Sequence, residues 1–353
     1  MPAQPAPPTC IINSLAPIRV CDNGGWTDTW FAKHGRVFNI GVYPYVEVQI
    51  AVYPRDSQPH RCILHAENFG QRYAVFPSNA RHEWLHHPLL EAAIDYMGVP
   101  EDLSVHISIF SEAPAGCSTG TSAAVSVALI GALDRLTPSR LSPLEVAYTA
   151  HRIETDILKQ QSGIQDQLGS AFGGINYIEM FDYPYAAVSP LHVPDDIWWE
   201  LERRLCLIFL GKSHSSSEVH EMVIHGLEDA GPDDPKLEAL RGTAVASRDA
   251  VTTGDLALLG RAMQENSEAQ RALHPALISR DAQQIFDIAS EHGALGWKVN
   301  GAGGEGGSLT LLSGPSMSAK RAMLRAIEET NPLFQNIPIY LSRRGLRVWT
   351  SRG

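Results

Sequence analysis

The sequence predicts an α+β fold in two units, and three observations carry that prediction. Strand-like stretches and helix-like stretches both occur, but without the regular β-α alternation of a doubly wound sheet. The chain has 353 residues, about twice the roughly 150 of an average domain. A composition break falls at about 182–200, where FDYPYAAVSPLHVPDD concentrates Pro and Asp, and it reads as an inter-domain connection. Residues 1–10, MPAQPAPPTC, read as a Pro-rich disordered lead. The division expected is therefore 11–195 and 196–353.

The elements follow in order. Val42–Val52 and Leu103–Ile109 alternate β-branched or aromatic residues with polar ones, the period of a half-buried strand. Between them, His86–Met97 has helical spacing. Thr121–Leu136 is continuously small and aliphatic, long enough for a buried helix, and Pro143–Lys159 is an amphipathic one. Gly163 and Gly173-Gly174 punctuate a return to strand at Ile175–Met180. Beyond the break, Leu205–Leu210 reads as a strand and Ser217–Glu228, Pro235–Gly254 and Asp255–Arg271 as helices. Strands at Gly296–Asn300 and Ser308–Leu312 flank a glycine cluster, followed by a helix over Ser316–Glu329 and a strand near Ile337–Leu341.

Composition excludes several classes. Lys plus Arg total 28 and Asp plus Glu 39, so the net charge is −11. An acidic chain without a Lys/Arg block lacks the footprint of nucleic-acid or anionic-membrane binding, so neither partner is expected. The five cysteines are widely spaced with no C-x-x-C pair, which argues against a disulfide framework or a zinc site. No basic stretch precedes an apolar one at the N-terminus, so no secretion signal is expected. The longest apolar run, Ala123–Leu133, is shorter than the roughly 20 residues of a membrane span. A cytoplasmic location is expected; oligomeric state is not legible.

Two glycine-rich loops nevertheless suit a polyanion. The first, Gly116-Cys117-Ser118-Thr119-Gly120-Thr121-Ser122, follows a strand and opens the buried helix, so backbone N–H groups and the helix N-terminus would favour a phosphate. It is not a Walker A loop, since no Lys follows Gly120; an ordinary strand-to-helix turn is the plain alternative. The second is Lys298-Val299-Asn300-Gly301-Ala302-Gly303-Gly304-Glu305-Gly306-Gly307. It formally contains G-x-G-x-x-G, but a strand rather than a helix follows and position 321 is Arg, so a dinucleotide fold is unsupported. Five glycines in residues 301–307 imply close backbone approach instead.

The polar candidates are scattered. Glu154 suits a Mg²⁺ ligand together with the Ser122 hydroxyl, and Asp166, in the loop 162–167, suits a group that takes a hydroxyl proton. A solvated helix face and a loop cap are the plain alternatives. In Arg19 to Thr29, a Gly-Gly turn presents Trp26 and Asp28, an aromatic face plus a carboxylate of the kind that holds a sugar; a core anchor and a turn residue are the alternatives.

Taken in order, these pieces resemble the GHMP kinase superfamily over nearly the whole chain. Ala16-Pro17-Ile18-Arg19 through Asp28 is similar to its first motif, Pro114 through Ala123 to its second, and Lys298 through Gly306 to its third. Gly25-Trp26-Thr27-Asp28-Thr29, Gln165-Asp166-Gln167 and Gly173-Gly174-Ile175-Asn176 look most like the sugar-1-kinase branch, near fucokinase and D-glycero-D-manno-heptose 7-phosphate kinase. The resemblance implies a ribosomal-S5-like N-terminal domain over 11–195 and a ferredoxin-like C-terminal domain over 196–353, with ATP and sugar between them. It implies Asp166 as base and Arg19 beside the acceptor; Ser122 and Glu154 as Mg²⁺ ligands; and Trp26, Asp28, Thr29 and Gly174 at the sugar. Gly116, Ser118, Thr119, Gly120, Thr121, Ser122, Gly301, Gly303 and Gly304 would wrap the nucleotide. The implied reaction is transfer of the ATP γ-phosphate to an anomeric hydroxyl of a free or phosphorylated sugar. A non-catalytic sensor on the same scaffold is the alternative.

The chain departs from the motifs at three places: Ser118-Thr119 stand where Gly-Leu is usual, Glu305 interrupts the third motif's glycines, and Cys21-Asp22-Asn23 replaces an apolar stretch. A phosphorylated acceptor would require cations at its distal end, for which Lys33, His34, Arg36, Lys212 and His214 are the candidates.

Overall fold

A computed structural model of the chain describes residues 7–76, 84–138, 140–212, 223–224 and 231–352. Its frame is two sheets with helices packed on and between them. The first sheet is built on β1 (Cys10–Asn23) and β2 (Gly35–Pro54), which pair antiparallel along most of their length. The far half of β2 pairs with β5 (Leu103–Ser111), beside which β3 (Cys62–Ala66) runs parallel and β4 (Gln71–Ala74) antiparallel. In this half, Val46, Val48, Ile50 and Val52 are buried while Glu47 and Gln49 are exposed, the alternation of a sheet with one wet face. The near half, residues 35–40, pairs instead with β6 (Ile175–Asp182), which pairs with β7 (Tyr185–Pro190). Val37, Phe38, Asn39 and Ile40 are all buried there, because helices cover both faces.

The second sheet has the order β11–β8–β10–β9, all antiparallel, from β8 (Leu205–Phe209), β9 (Gly296–Val299), β10 (Ser308–Leu312) and β11 (Gln335–Ile337). Helices 280–291 and 317–330 bury Ile285, Phe286, Met323 and Ile327 against one face of it. The other face joins the main core: Leu205, Leu207 and Leu312 share a cluster with Leu259, Met263 and Val251 of the helix pair 235–253 and 256–273. The two sheets thus share one apolar core across that helix pair, which gives an α+β fold in two units. Among the described residues, no helix is long and apolar enough to cross a membrane.

Several expectations are corrected. The stretch 182–200 is not a connection: it holds β7 and then α5 (Asp195–Arg204). Pro194 precedes that helix, Asp195 and Asp196 occupy its first turn and Arg203 and Arg204 its last, the charge order its dipole favours. The helix expected to run unbroken over Pro143–Lys159 ends at Arg152 and continues as a π-helical turn over Ile153–Ile157, where Thr155 Oγ1 donates to the His151 carbonyl and competes with the helical ladder. The disordered lead is shorter than expected: Thr9 N–H already donates to the Val52 carbonyl and β1 starts at Cys10, while residues 1–6 lie outside the described ones. The helix expected over Ser217–Glu228 also lies outside them, save 223–224.

The division at 195/196 stands as a proposal, with one qualification. Strand β12 (Tyr340–Leu341) pairs with β2 and β13 (Arg347–Arg352) with β1, so the chain end returns to the first sheet. Gly345 permits that return: a Cβ there would lie 2.1 Å from the Ala171 carbonyl oxygen, a backbone contact with no room to relax.

Candidate active site

Three segments remote in sequence meet at one cavity of about 350 Å³. The first is the end of β1, whose bulges at Pro17/Ile18 and Val20/Asn23 redirect the strand so that Arg19 and Asp22 both reach the cavity. The second is the loop into α2 (Thr121–Asp134), and the third the N-terminus of α4 (Gln165–Phe172). The second glycine loop, the hairpin from β9 to β10, closes the side with Gly301 and Ala302.

The first glycine loop owes its shape to left-handed backbone at Gly116 (φ 72°), Ser118 (φ 58°) and Gly120 (φ 69°). Left-handed residues at every second position of a loop that opens a helix suit an anion-binding nest at the helix N-terminus. The loop is pinned to β1, because Arg19 N–H donates to the Thr119 carbonyl at 2.9 Å and Arg19 Nη1 to the Ser118 carbonyl at 2.5 Å. Thr119 is fully buried, with Oγ1 3.2 Å from that of Thr121.

Asp166 stands in the first turn of α4, not in a loop as expected. Its two carboxylate oxygens take a fork from Arg19, Nε to Oδ1 at 2.8 Å and Nη2 to Oδ2 at 3.2 Å. The helix that carries it is fixed from behind: Gln165 N–H donates to Asp28 Oδ2 at 2.9 Å, and Asn39 Nδ2 donates to the Gln165 carbonyl and side chain. Gly120 is in contact with Asp166, since a Cβ on it would lie 3.1 Å from the Asp166 Cγ. The carboxylate and the anion nest are therefore immediate neighbours.

Asp22, which the sequence marked only as a departure, is the hub of the site. It is fully buried. Its Oδ1 accepts from Lys298 Nζ at 2.8 Å; its Oδ2 accepts from Gly301 N–H at 3.0 Å and Gln165 Nε2 at 3.2 Å, with Arg19 Nη2 at 3.6 Å. Burial pushes its pKa up, but Arg19 and Lys298 outweigh burial and hold it below the usual carboxylate range. Arg19 shows the converse: burial opposes its charge, and Asp166 and Asp22 more than restore it. Lys298, also fully buried, is held below its ordinary value by burial despite Asp22.

Two further carboxyls face the cavity. Asp28 is pushed up to about 6, chiefly by burial, against the Gln165 N–H that favours its charge. Glu154, on the π-helical turn, is pushed up to about 7, again chiefly by burial. Gln167 Nε2 donates to its Oε2 at 2.8 Å, while its Oε1 is buried without a hydrogen-bond partner. That orphaned oxygen, in a cavity it shares with the Ser122 hydroxyl, fits a hard cation such as Mg²⁺, which binds through one or two protein oxygens and completes its shell with water and phosphate. Among the described residues, no group of three or more His, Cys, Asp or Glu forms a protein-only metal cage.

Of the residues expected at the site, Arg19, Trp26, Asp28, Thr29, Gly116, Ser118 to Ser122, Glu154, Asp166 and Gly301 line the cavity. Gly174 does not: its N–H donates to Ser342 O and its carbonyl accepts from Gly41 N–H, so it fastens the returning chain end. Gly303 and Gly304 face Leu277, whose carbonyl accepts the Gly304 N–H at 3.0 Å, rather than the cavity. Glu305 is exposed and outside the lining. The expected site residues did not include Asp22, Gln160, Gln161, Ser162, Gly163 and Gln165; the signals were the Asp22 departure from an apolar pattern and the place of Gln165 in Gln165-Asp166-Gln167. A second, mainly apolar chamber of about 360 Å³, walled by Phe69, Leu90, Ile109 and Val125, shares Gly116, Thr121, Ser122 and Gln160 with the first.

An anion nest touching an arginine-held carboxylate, with an apolar chamber on the nest's other side, defines a phosphoryl-transfer enzyme acting on a small molecule. Residues 88–174 match the family described as "GHMP kinases N terminal domain", and 247–329 match "GHMP kinases C terminal". The chain is 31% identical over 251 residues to the mevalonate kinase of Thermococcus sibiricus, spanning 69% of each chain. It is 25% identical over 258 residues to the D-glycero-alpha-D-manno-heptose 7-phosphate kinase of Campylobacter jejuni, covering 72% of this chain and 73% of that one. In fold it is similar to a D-glycero-D-manno-heptose 1-phosphate kinase from Bacteroides thetaiotaomicron, with TM-score 0.73, 23% identity and 96% and 98% of the two chains covered. The chain belongs to the GHMP kinase family, whose members are ATP-dependent kinases.

Two stability measurements check this description. Asp22→Asn leaves Lys298 charged and buried, and is expected to lower unfolding free energy by about 3–5 kcal/mol; Asp22→Asn/Lys298→Met should regain most of it, and an additive double variant would refute the pairing. Asp28 has a folded pKa above its unfolded value, so its stabilising contribution is complete below about pH 4 and is lost as pH rises through about 6. Asp28→Asn should therefore gain on the wild type between about pH 4 and 6 and hold a constant advantage above that, by at most about 3 kcal/mol. A gap independent of pH would contradict the assignment.

Proposed function

We propose that the chain is a sugar kinase that transfers the ATP γ-phosphate to an anomeric hydroxyl. The observation that carries this reading is the contact between Asp166 and Gly120: the proton acceptor abuts the phosphate nest, so a hydroxyl bonded to one lies in line with a phosphoryl group held by the other. The nucleoside would occupy the apolar chamber and its phosphates the loop 116–122, with Gly301 behind them. The sugar would pack on Trp26 and hydrogen-bond Asp28 and Thr29.

In the reaction, the acceptor oxygen bonds to the γ-phosphorus, the bond from that phosphorus to the bridging oxygen breaks, and ADP leaves. Asp166 takes the hydroxyl proton. Arg19 fixes the plane of that carboxylate through its fork and places positive charge where the transferring oxygens gather. Glu154 Oε1 and the Ser122 hydroxyl would hold Mg²⁺, which when bound neutralises charge on the β- and γ-phosphates. The buried amides of Gln165 and Gln167 keep Asp22 and Glu154 in place.

The altered glycine motifs are what favour the sensor alternative, and within them Glu305 would set a carboxylate close to the phosphates. Glu305 is exposed and outside the cavity, which removes that ground.

A coupled ADP-release assay with MgATP and a panel of sugars tests the proposal. Asp166→Ala should lower kcat by about 10²–10⁴-fold, the usual contribution of a general base, while ATP affinity measured by calorimetry stays within a few-fold. Undiminished kcat in that variant would remove Asp166 from the chemistry.

A further inference from the structure

The cavity also bears on whether the acceptor arrives already phosphorylated. We infer that it is a free sugar without a phosphate ester, an inference that rests on the sugar-kinase reading above.

Four carboxyl groups line the cavity, Asp22, Asp28, Glu154 and Asp166, against one cation among the described residues, Arg19. Three of the five Arg19 N–H donors are committed, Nε and Nη2 to Asp166 and Nη1 to the Ser118 carbonyl, and Nη2 also lies 3.6 Å from Asp22, so the guanidinium is held at the Asp166 end of the cavity. Lys298 is not part of the lining; it is fully buried between Asp22 and the Val299 carbonyl.

The cations that would have marked a distal phosphate site lie elsewhere. His34 is 3.0 Å from Asp233, Arg36 is 3.5 Å from Glu179, and Lys212 is 3.4 Å from Asp281. Lys33 is exposed, and none of these four lines the cavity. His214 lies outside the described residues.

Among the described residues, the rest of the cavity lining is neutral. Thr29, Gln160, Gln161 and Ser162 offer hydroxyl and amide groups, which both donate and accept and so match sugar hydroxyls. A phosphate dianion is instead held by charged, forked donors or by a nest of backbone N–H groups, and the loop 116–122 that could supply such a nest is taken by the nucleotide. Beside the phosphates of ATP, a second phosphate in this cavity would meet carboxylates, and the like charges would reject it. The same wall accepts a neutral polyol at no such cost. This separates the chain from the relative whose name gives it a heptose 7-phosphate as acceptor.

The test pairs each free sugar with its own distal phosphate ester in the ADP-release assay: D-mannose with mannose 6-phosphate, D-galactose with galactose 6-phosphate, and D-glycero-D-manno-heptose with its 7-phosphate. At least one free sugar should be turned over with a kcat/KM about 100-fold or more above that of its ester. An ester used as well as or better than its free sugar would overturn the inference and leave the sugar-kinase reading standing. ADP release with neither form of any sugar would overturn that reading, and the inference with it.

Discussion

The buried carboxylate of Asp22 is the interaction on which the site's order depends. Two cations, Arg19 and Lys298, are taken out of water in the same small volume, and a buried charge without a partner is strongly destabilising. Asp22 answers both, and its remaining lone pairs take the Gly301 N–H and the Gln165 amide. One residue thereby joins β1 of the first sheet, the α4 helix and the second glycine loop, which connects two strands of the second sheet. Arg19 in turn aims Asp166, so the geometry of the base is set two contacts away from Asp22.

That arrangement explains how a chain of net charge −11 handles a polyanion. Positive potential comes from oriented backbone N–H groups, the α2 N-terminus and one arginine, not from a basic surface. Asp22 and Asp166 are paired with Lys298 and Arg19, and burial pushes Asp28 and Glu154 up.

Much of this was legible in the sequence. Strict alternation pointed to Leu103–Ile109, an unbroken small and aliphatic run to the buried helix after Gly120, and loop chemistry to the proposed phosphate loop. The resemblance carried Arg19, Asp28, Glu154 and Asp166 to a common site. What failed did so for physical reasons. Strand β13, Arg-Val-Trp-Thr-Ser-Arg, is an exposed edge whose partner β1 is more than 300 residues away, so no local pattern announces it. The α5 helix was hidden by reading its Pro and Asp as a break, although Pro before a first turn rich in Asp and Arg in the last turn is a helix signature. Gly174, Gly303 and Gly304 look like their functional neighbours but serve backbone packing, a distinction only coordinates make. Asp22 was visible as an anomaly and unreadable as a hub, because its partners are 3 to 279 positions away.

Hydrogen exchange in the wild type and in Asp22→Asn, well below the unfolding temperature, tests this account most directly. Peptides covering 296–302, 116–124 and 165–170 should all exchange faster in the variant, each by a larger factor than helix 280–291, which shows only the global loss of stability. Acceleration confined to 296–302, or none at all, would contradict the claim that Asp22 holds the glycine loops and the base together.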